Sequence, residues 1–349
     1  MSAQRLSLAR VTDFAALGAE WAALEAASDF GVFQGWGWIG CLAEERYDDP
    51  WLLRAEAGGR TLGLALFNRR RGALHLAETG DPAKDRPFIE HNAPLVARDA
   101  PPGLGAAMLA EARRAAGRLV LGGVAPALAD AAGGARWRWE LRPAPFLDLD
   151  ALRAAGGDVL ATLSANTRQQ IRRAERRLAE AGPLALEAAT APEAAAAVLA
   201  EMIPLHERRW QGQGAFSTPW LARFHDALVR RLAARGELEM LRVTAGGRLV
   251  GLLENFRRGG VVHAYQSGFP ETGGDAALKP GLLCHLLAIR HALAEGAREY
   301  DLMAGEQRYK RSLARECRDL AWVELVPAAS PRGVLAVLRA RLQAARGPA

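Results

Sequence analysis

Lysine is nearly missing from this chain: of its 45 basic residues only Lys84, Lys279 and Lys310 are lysines. The arginine and alanine excess reads first as genome composition, so Lys279 and Lys310, close together in the second half, stand out. Cysteine is scarce too. Cys41, Cys284 and Cys317 have no metal-ligand or redox spacing, and an odd count excludes a simple disulfide framework and fits a reducing cytoplasm. No apolar run approaches the ~20 residues that cross a bilayer. The opening MSAQRLSLARVTDF lacks the apolar core of a signal peptide, so a cytoplasmic location is expected. Glycine-rich nucleotide loops of Walker or Rossmann type, a nucleophilic triad and a metal-ligand cluster are all missing as well. Net charge is +6, spread along the length, which suits anionic ligands without arguing for nucleic acid.

What is present is a soluble globular balance, 50% hydrophobic and 24% charged over 349 residues, enough for two domains with real cores. The most informative feature is internal. LRAEAGGRTLGLALFNRRRGALH, residues 53–75, aligns without gaps onto LRVTAGGRLVGLLENFRRGGVVH, residues 241–263, with 12 of 23 positions identical. Both copies carry a Gly-Gly pair that supplies the positive φ of a tight hairpin, Gly58-Gly59 and Gly246-Gly247. The chain therefore reads as two copies of one α/β unit. The expected division is 1–150, 151–330 and a basic helix or tail over 331–349, which could be a docked end, a contact to a partner or a frayed terminus. Pro143 and Pro145 mark an extended linker between the halves.

Within the second copy, strands over 238–268 lead to a helix in KPGLLCHLLAIRHALAEGA. Pro280 suits its first turn and Gly296 its stop. A short strand, REYDLM, and the polar cluster Gly305-Glu306-Gln307-Arg308-Tyr309-Lys310 follow. On VVHAYQSGF, alternation places His263, Tyr265 and Ser267 on one face and Val262, Ala264 and Gln266 on the other. Gly268 is the expected bulge, freeing a backbone amide. The helix start Lys279-Pro280-Gly281-Leu282 offers amides and a dipole to phosphate. Glu254, Asp301 and Glu306 are candidate bases, since a carboxylate of raised pKa can deprotonate an amine.

Upstream, residues 13–46 read as helical, with Trp21, Leu24, Trp36, Trp38, Ile39 and Leu42 as core. Residues 158–182 form a second helix candidate, capped by Ser164 or Asn166 and ended by Gly182-Pro183. Its stripes of Arg168, Arg172, Arg176 and of Gln169, Arg173, Arg177 are either a solvated face or an anion-binding surface. The segment TPWLARFHDALVRRLAARGEL reads as amphipathic, with Trp220, Leu221, Phe224, Leu228 and Leu232 inward.

The order strand hairpin, YQSGF, KPGLL helix, YDLMAGEQRYK resembles the acyltransferase domain of the GNAT superfamily. The nearest branch in resemblance is the tandem CelD/BcsL-like, cellulose-biosynthesis-related type, with a more distant likeness to FemABX peptidyltransferases. Phe33-Gln34-Gly35-Trp36-Gly37-Trp38 is similar to that family's N-terminal motif, and His206, Arg209 and Trp210 fall on its His-x-x-Arg-Trp motif. The usual ending, close to GDEPYK, stands here as GEQRYK. The resemblance implies an α/β (α+β) fold of two GNAT-like domains in tandem, the first degenerate, and acyl transfer from acetyl-CoA or another acyl-CoA to an amine. It implies catalytic roles for Tyr265, Glu306, Asp301 and His206, with Tyr265 as the acid for the leaving thiolate. Gln266, Ser267, Gly268, Lys279, Pro280, Gly281 and Leu282 would hold the co-substrate. Arg209, Trp210, Glu254, Tyr309 and Lys310 would meet the acceptor, a small molecule, sugar or amino acid, with no metal. The start at Lys279 departs from the family's Gln/Arg-x-x-Gly-x-Gly/Ala loop. This keeps open an aminoacyl-tRNA donor, as in FemABX proteins, and a non-catalytic scaffold in envelope assembly.

Overall fold

The computed structural model describes residues 4–86, 88–275 and 278–345. The chain divides into two compact units, Met1–Arg142 with Asp319–Ala349, and Pro143–Arg318. The divisions fall at 142/143 and 318/319 rather than at 150 and 330.

The first half of the chain runs β1 (Arg5–Arg10), α1 (Phe14–Glu25), α2 (Trp36–Ile39), α3 (Ala43–Arg46), β2 (Pro50–Ala57), β3 (Arg60–Arg70) and β4 (Ala73–Leu76). It continues with β5 (Leu95–Val96), α4 (Leu104–Ala116), β6 (Leu119–Val124), α5 (Pro126–Ala131) and β7 (Ala135–Asp148). The second half runs α6 (Leu149–Ala154), α7 (Ala165–Ala179), β8 (Leu184–Ala189), α8 (Pro192–Trp210), α9 (Pro219–Ala234), β9 (Leu238–Ala245) and β10 (Arg248–Arg258). Then come β11 (Val261–Gly268), α10 (Pro280–Ala294), β12 (Glu299–Asp301), α11 (Arg308–Leu313), β13 (Glu316–Val326) and α12 (Pro331–Ala345).

The strand order in the first unit is β1-β2-β3-β4-β6-β13, with β5 on β3; in the second it is β8-β9-β10-β11-β12-β7. The orders match strand for strand. In each unit one pair is parallel, β4 with β6 and β11 with β12, and its last pair is antiparallel, β6 with β13 and β12 with β7. The end strand of each unit comes from the other half of the sequence. Instead of a linker, Pro143 and Pro145 lie inside β7. Lacking amide hydrogens, they still serve as acceptors: Pro145 O takes Leu302 N at 2.9 Å and Pro143 O takes Gly305 N at 2.8 Å.

The hairpin glycines behave as their chemistry requires. Gly58 and Gly59 have φ of 59° and 75°, Gly246 and Gly247 of 54° and 78°. The repeat extends to a shared register slip one residue before Gly63 and Gly251. A Cβ on Gly63 would come 2.7 Å from Met108 Sδ of α4, and one on Gly251 2.9 Å from Cys284 Sγ of α10. The repeated glycine thus admits the helix that packs on each sheet.

Two helical expectations are corrected. Residues 13–46 break after α1, because Gly31 and Gly35 hold extended backbone and Leu42 turns left-handed at φ 48°. Trp21, Leu24, Trp38 and Ile39 are buried as expected, while Trp36 and Leu42 are half-buried. Trp21 Nε1 donates to Gln34 O at 2.9 Å. The 158–182 candidate shortens to α7, preceded by a 3-10 turn at Val159–Thr162. Ser164 Oγ caps it, accepting from Thr167 N at 3.2 Å, and the inward face is Thr167, Ile171 and Ala174.

In the second unit α7 and α10 pack on one face of the sheet, α8 and α9 on the other. The α10 face holds a core that includes Leu241, Val243, Leu253, Val262, Ala264, Leu283, Leu286 and Ile289.

Candidate active site

Side chains of the second unit converge on the middle of β10 and β11. The register between these strands slips after Glu254: Asn255 pairs with Ala264 and Glu254 with Gln266, leaving Tyr265 as the extra residue. The bulge is therefore at Tyr265, not at Gly268. One inserted residue reverses the side-chain alternation beyond it. Gln266 takes the Glu254 face and Ser267, paired with Leu253, the α10 face, so Tyr265 and Ser267 do not share a face as alternation suggested. Gly268 has a different purpose. A Cβ there would lie 2.8 Å from Met202 Cγ and 3.0 Å from Met202 O, so its bareness lets α8 approach the strand end.

Glu254 is fully buried. Its nearest charged-type partner is His225 of α9, Nδ1 to Oε1 at 4.0 Å. Burial pushes the Glu254 carboxyl up to about 8 and pulls His225 down to about 3. At neutral pH the carboxyl is mostly protonated and the imidazole neutral. Aromatic rings wall the pair: Tyr265 stacks on Phe256 at 4.4 Å and lies 6.1 Å from His225, which meets Phe216 edge-on at 4.6 Å. His225 sits on the inward face of α9 beside Phe224 and Leu228. The amphipathic pattern located that face, but nothing in the sequence paired it with Glu254.

His206 is a clamp. Its Nε2 accepts from Ala215 N at 3.3 Å, so Nδ1 carries the hydrogen and donates to Ser267 O at 3.0 Å. Burial lowers its pKa. With both ring nitrogens on backbone, the acid-base role expected for His206 is not supported. Glu207 takes Phe216 N at 3.1 Å, and together these bonds fix the loop that sets Phe216 against His225.

A second cluster forms at the start of α10. Phe269, the last residue of the YQSGF motif, lies 3.6 Å from a Cβ position on Gly281 and against Gly251. Arg209, exposed at the end of α8, reaches 5.9 Å over the Phe269 ring. Tyr309 stacks on His285 at 4.9 Å. Burial pushes Tyr309 up to about 12, the Arg209 charge opposing it, and pulls His285 down to about 3, helped by the Lys310 and Arg209 charges. Lys279 stands at the N-cap and Pro280 at the first helical position. The amides of Gly281 and Leu282 precede the first intrahelical bond, Leu283 N to Lys279 O at 3.0 Å, so they face out of the helix.

The remaining candidates divide. Asp301 is buried at the end of β12, registered beside His263; its Oδ1 accepts Met303 N at 2.6 Å, holding the turn in which Met303 has φ 64°. Lys310, expected to touch substrate or phosphate, is buried and donates to Met303 O at 3.1 Å and Ala304 O at 2.8 Å, bracing the same turn. Glu306 is exposed and pairs with Arg311 at 3.6 Å, apart from the low-polarity surroundings that make a carboxylate basic. Trp210 is 45% exposed, its ring 6.0 Å from His206. Phe269 and His285 lay inside recognised motifs without a chemical signature of their own.

The topology and the repeated unit give a mixed α/β fold of two GNAT-like units in tandem. Residues 165–311 match the acetyltransferase (GNAT) domain family model, so the chain carries a GNAT acetyltransferase domain and its class is acyltransferase. Among solved structures, FemX is similar at 10% identity, covering 91% of this chain and 97% of that one, with a TM-score of 0.58. L-PGS from Bacillus licheniformis follows at 13% identity, 90% and 98% coverage and 0.53. The C-terminal domain (DUF2156) of an Agrobacterium fabrum protein gives 13%, 95%, 97% and 0.56. At these identities the likeness is one of fold. No curated protein matches the chain.

Proposed function

We propose that the second unit moves an acyl group, acetyl in the simplest case, from acyl-CoA to the amine of a small-molecule, sugar or amino-acid acceptor. The observation that carries this reading is Glu254, a carboxyl driven up to about 8 by burial beside the bulged Tyr265. A carboxylate that binds protons that tightly can take one from an ammonium group near neutral pH. The freed amine attacks the thioester carbonyl carbon, the C–S bond breaks, the Tyr265 hydroxyl gives its proton to the leaving thiolate, and the second proton shed by the nitrogen as it becomes an amide returns to the Tyr265 oxygen. Because a bulge leaves one residue outside the ladder, the Tyr265 segment can turn a backbone amide toward the developing oxyanion. Phosphate would meet the Gly281 and Leu282 amides, with Lys279 and Arg209 adding charge.

The first unit serves as scaffold in this reading. Its equivalents of Glu254, Tyr265 and Asp301 are Leu66, Ala77 and Val120 by the repeat and the strand register. Within the superfamily we place the chain with the tandem CelD/BcsL-like branch, on YQSGF, HERRW and GEQRYK, acting in the cytoplasm. No helix among the described residues is long and apolar enough to cross a membrane. Heat-shift measurements with acetyl-CoA, longer acyl-CoAs and bulk tRNA test the donor. Stabilisation by an acyl-CoA is expected; stabilisation by tRNA alone would transfer the reading to the aminoacyl-tRNA alternative, and by neither to a scaffold.

A further inference from the structure

We infer that α12 is an interfacial anchor that lays an apolar stripe on an anionic lipid surface. Val334, Leu335, Leu338 and Leu342 are 50%, 40%, 50% and 62% exposed. Their spacing of i, i+1, i+4 and i+8 puts them on one side of the helix. They make up most of the exposed large hydrophobic side chains among the described residues; the others, Phe88, Leu141 and Trp210, are scattered along the chain.

The opposite side of α12 is seated. Ala336 is buried against Ala135 and Val326, with Trp137 and Val337 packed around them. Ser330 caps the start, its Oγ accepting Gly333 N at 3.0 Å. A Cβ on Gly333 would lie 2.0 Å from Pro327 O, so the turn from β13 closes tightly on the first residues of the helix. The stripe is therefore presented by a docked helix.

Charge selects the partner. No acidic residue occurs between Pro331 and Ala345. Arg332 and Arg339 lie over the Trp137 ring at 5.8 and 5.1 Å, and helical periodicity sets Arg339 and Arg341 on opposite flanks of the stripe. Long arginine stems bordering aliphatic side chains can keep their heads at the level of lipid phosphates while the stripe enters the acyl boundary. A second copy of the helix would bring arginine against arginine with no acid on α12 to receive it. RNA would find no aromatic platform in the stripe.

The test is flotation of the full chain with vesicles of equimolar phosphatidylcholine and phosphatidylglycerol, against phosphatidylcholine alone, with melting temperature and light-scattering mass recorded in parallel. Binding to the anionic vesicles only is expected, weakening with salt. The double variant L338E/L342E should lower the bound fraction about tenfold or more, since two leucines lose apolar burial, and R341E about fivefold. Both changes are on the exposed side, so the melting temperature should hold. Failure of the wild type to float with anionic vesicles overturns the inference, as does undiminished binding by L338E/L342E. A lipid-free dimer that the double variant splits would equally overturn it, assigning the stripe to a contact between copies.

Discussion

Replacing Glu254 with glutamine (E254Q) removes a carboxyl that the fold keeps protonated. An unfolded glutamate ionises near 4.5, whereas Glu254 in the fold is pushed up to about 8 by desolvation. Below the lower value both states hold the proton and no cost arises. Between the two values the unfolded chain ionises while the folded chain cannot, so stability falls steadily as pH rises and levels off above about 8. A difference of about 3.5 units at 1.36 kcal/mol each bounds the cost at roughly 5 kcal/mol. His225, held neutral and 4.0 Å away, offers no compensating charge. The introduced amide must find partners in the same pocket, which lowers the net gain to a few kcal/mol, roughly. Urea unfolding of both proteins from pH 5 to 9 should show the wild type weakening toward high pH and E254Q staying nearly flat, overtaking it at pH 8. Parallel pH profiles would refute the assignment of a buried, proton-retaining carboxyl. Under the proposed function the same change should cut turnover by about 100-fold or more and abolish the rise of kcat/KM with pH toward 8.

The other predictions read the surrounding side chains. Tyr265→Phe keeps the ring stacked on Phe256 and should lower kcat by about tenfold with the melting temperature unchanged; equal loss with alkyl and activated aryl thioesters would argue against proton donation to the thiolate. Arg209→Ala removes an exposed charge over Phe269, so KM for acyl-CoA should rise about tenfold, less at high salt, with kcat nearly constant. Lys310→Ala deletes two bonds to the turn at Met303 and Ala304 and empties a buried site; a stability loss of about 2 kcal/mol should accompany any loss of activity, and a lower kcat at full stability would return Lys310 to the substrate.

Much of the local structure was legible because its causes are local. Gly-Gly pairs dictate hairpin turns wherever they stand, Pro280 and Gly296 bracket α10, and Ser164 caps α7. The helix expected over 13–46 failed for an equally local reason, Gly31 and Gly35, whose extended backbone outweighed the apolar spacing. The site was less legible. His206 and Lys310 look like chemistry in a motif, yet their hydrogen bonds, to Ala215 and Ser267 and to Met303 and Ala304, make them braces.

The sequence alone determined the duplication, since an identity of 12 in 23 ungapped positions survives without any knowledge of pairing, and its motif order carried the resemblance to GNAT acyltransferases. Tertiary structure decided which strand completes each unit, where the bulge falls and which carboxyl loses its water. Those outcomes depend on segments far apart in the chain meeting in one register, and a single-residue slip between β10 and β11 redirects every side chain beyond Tyr265.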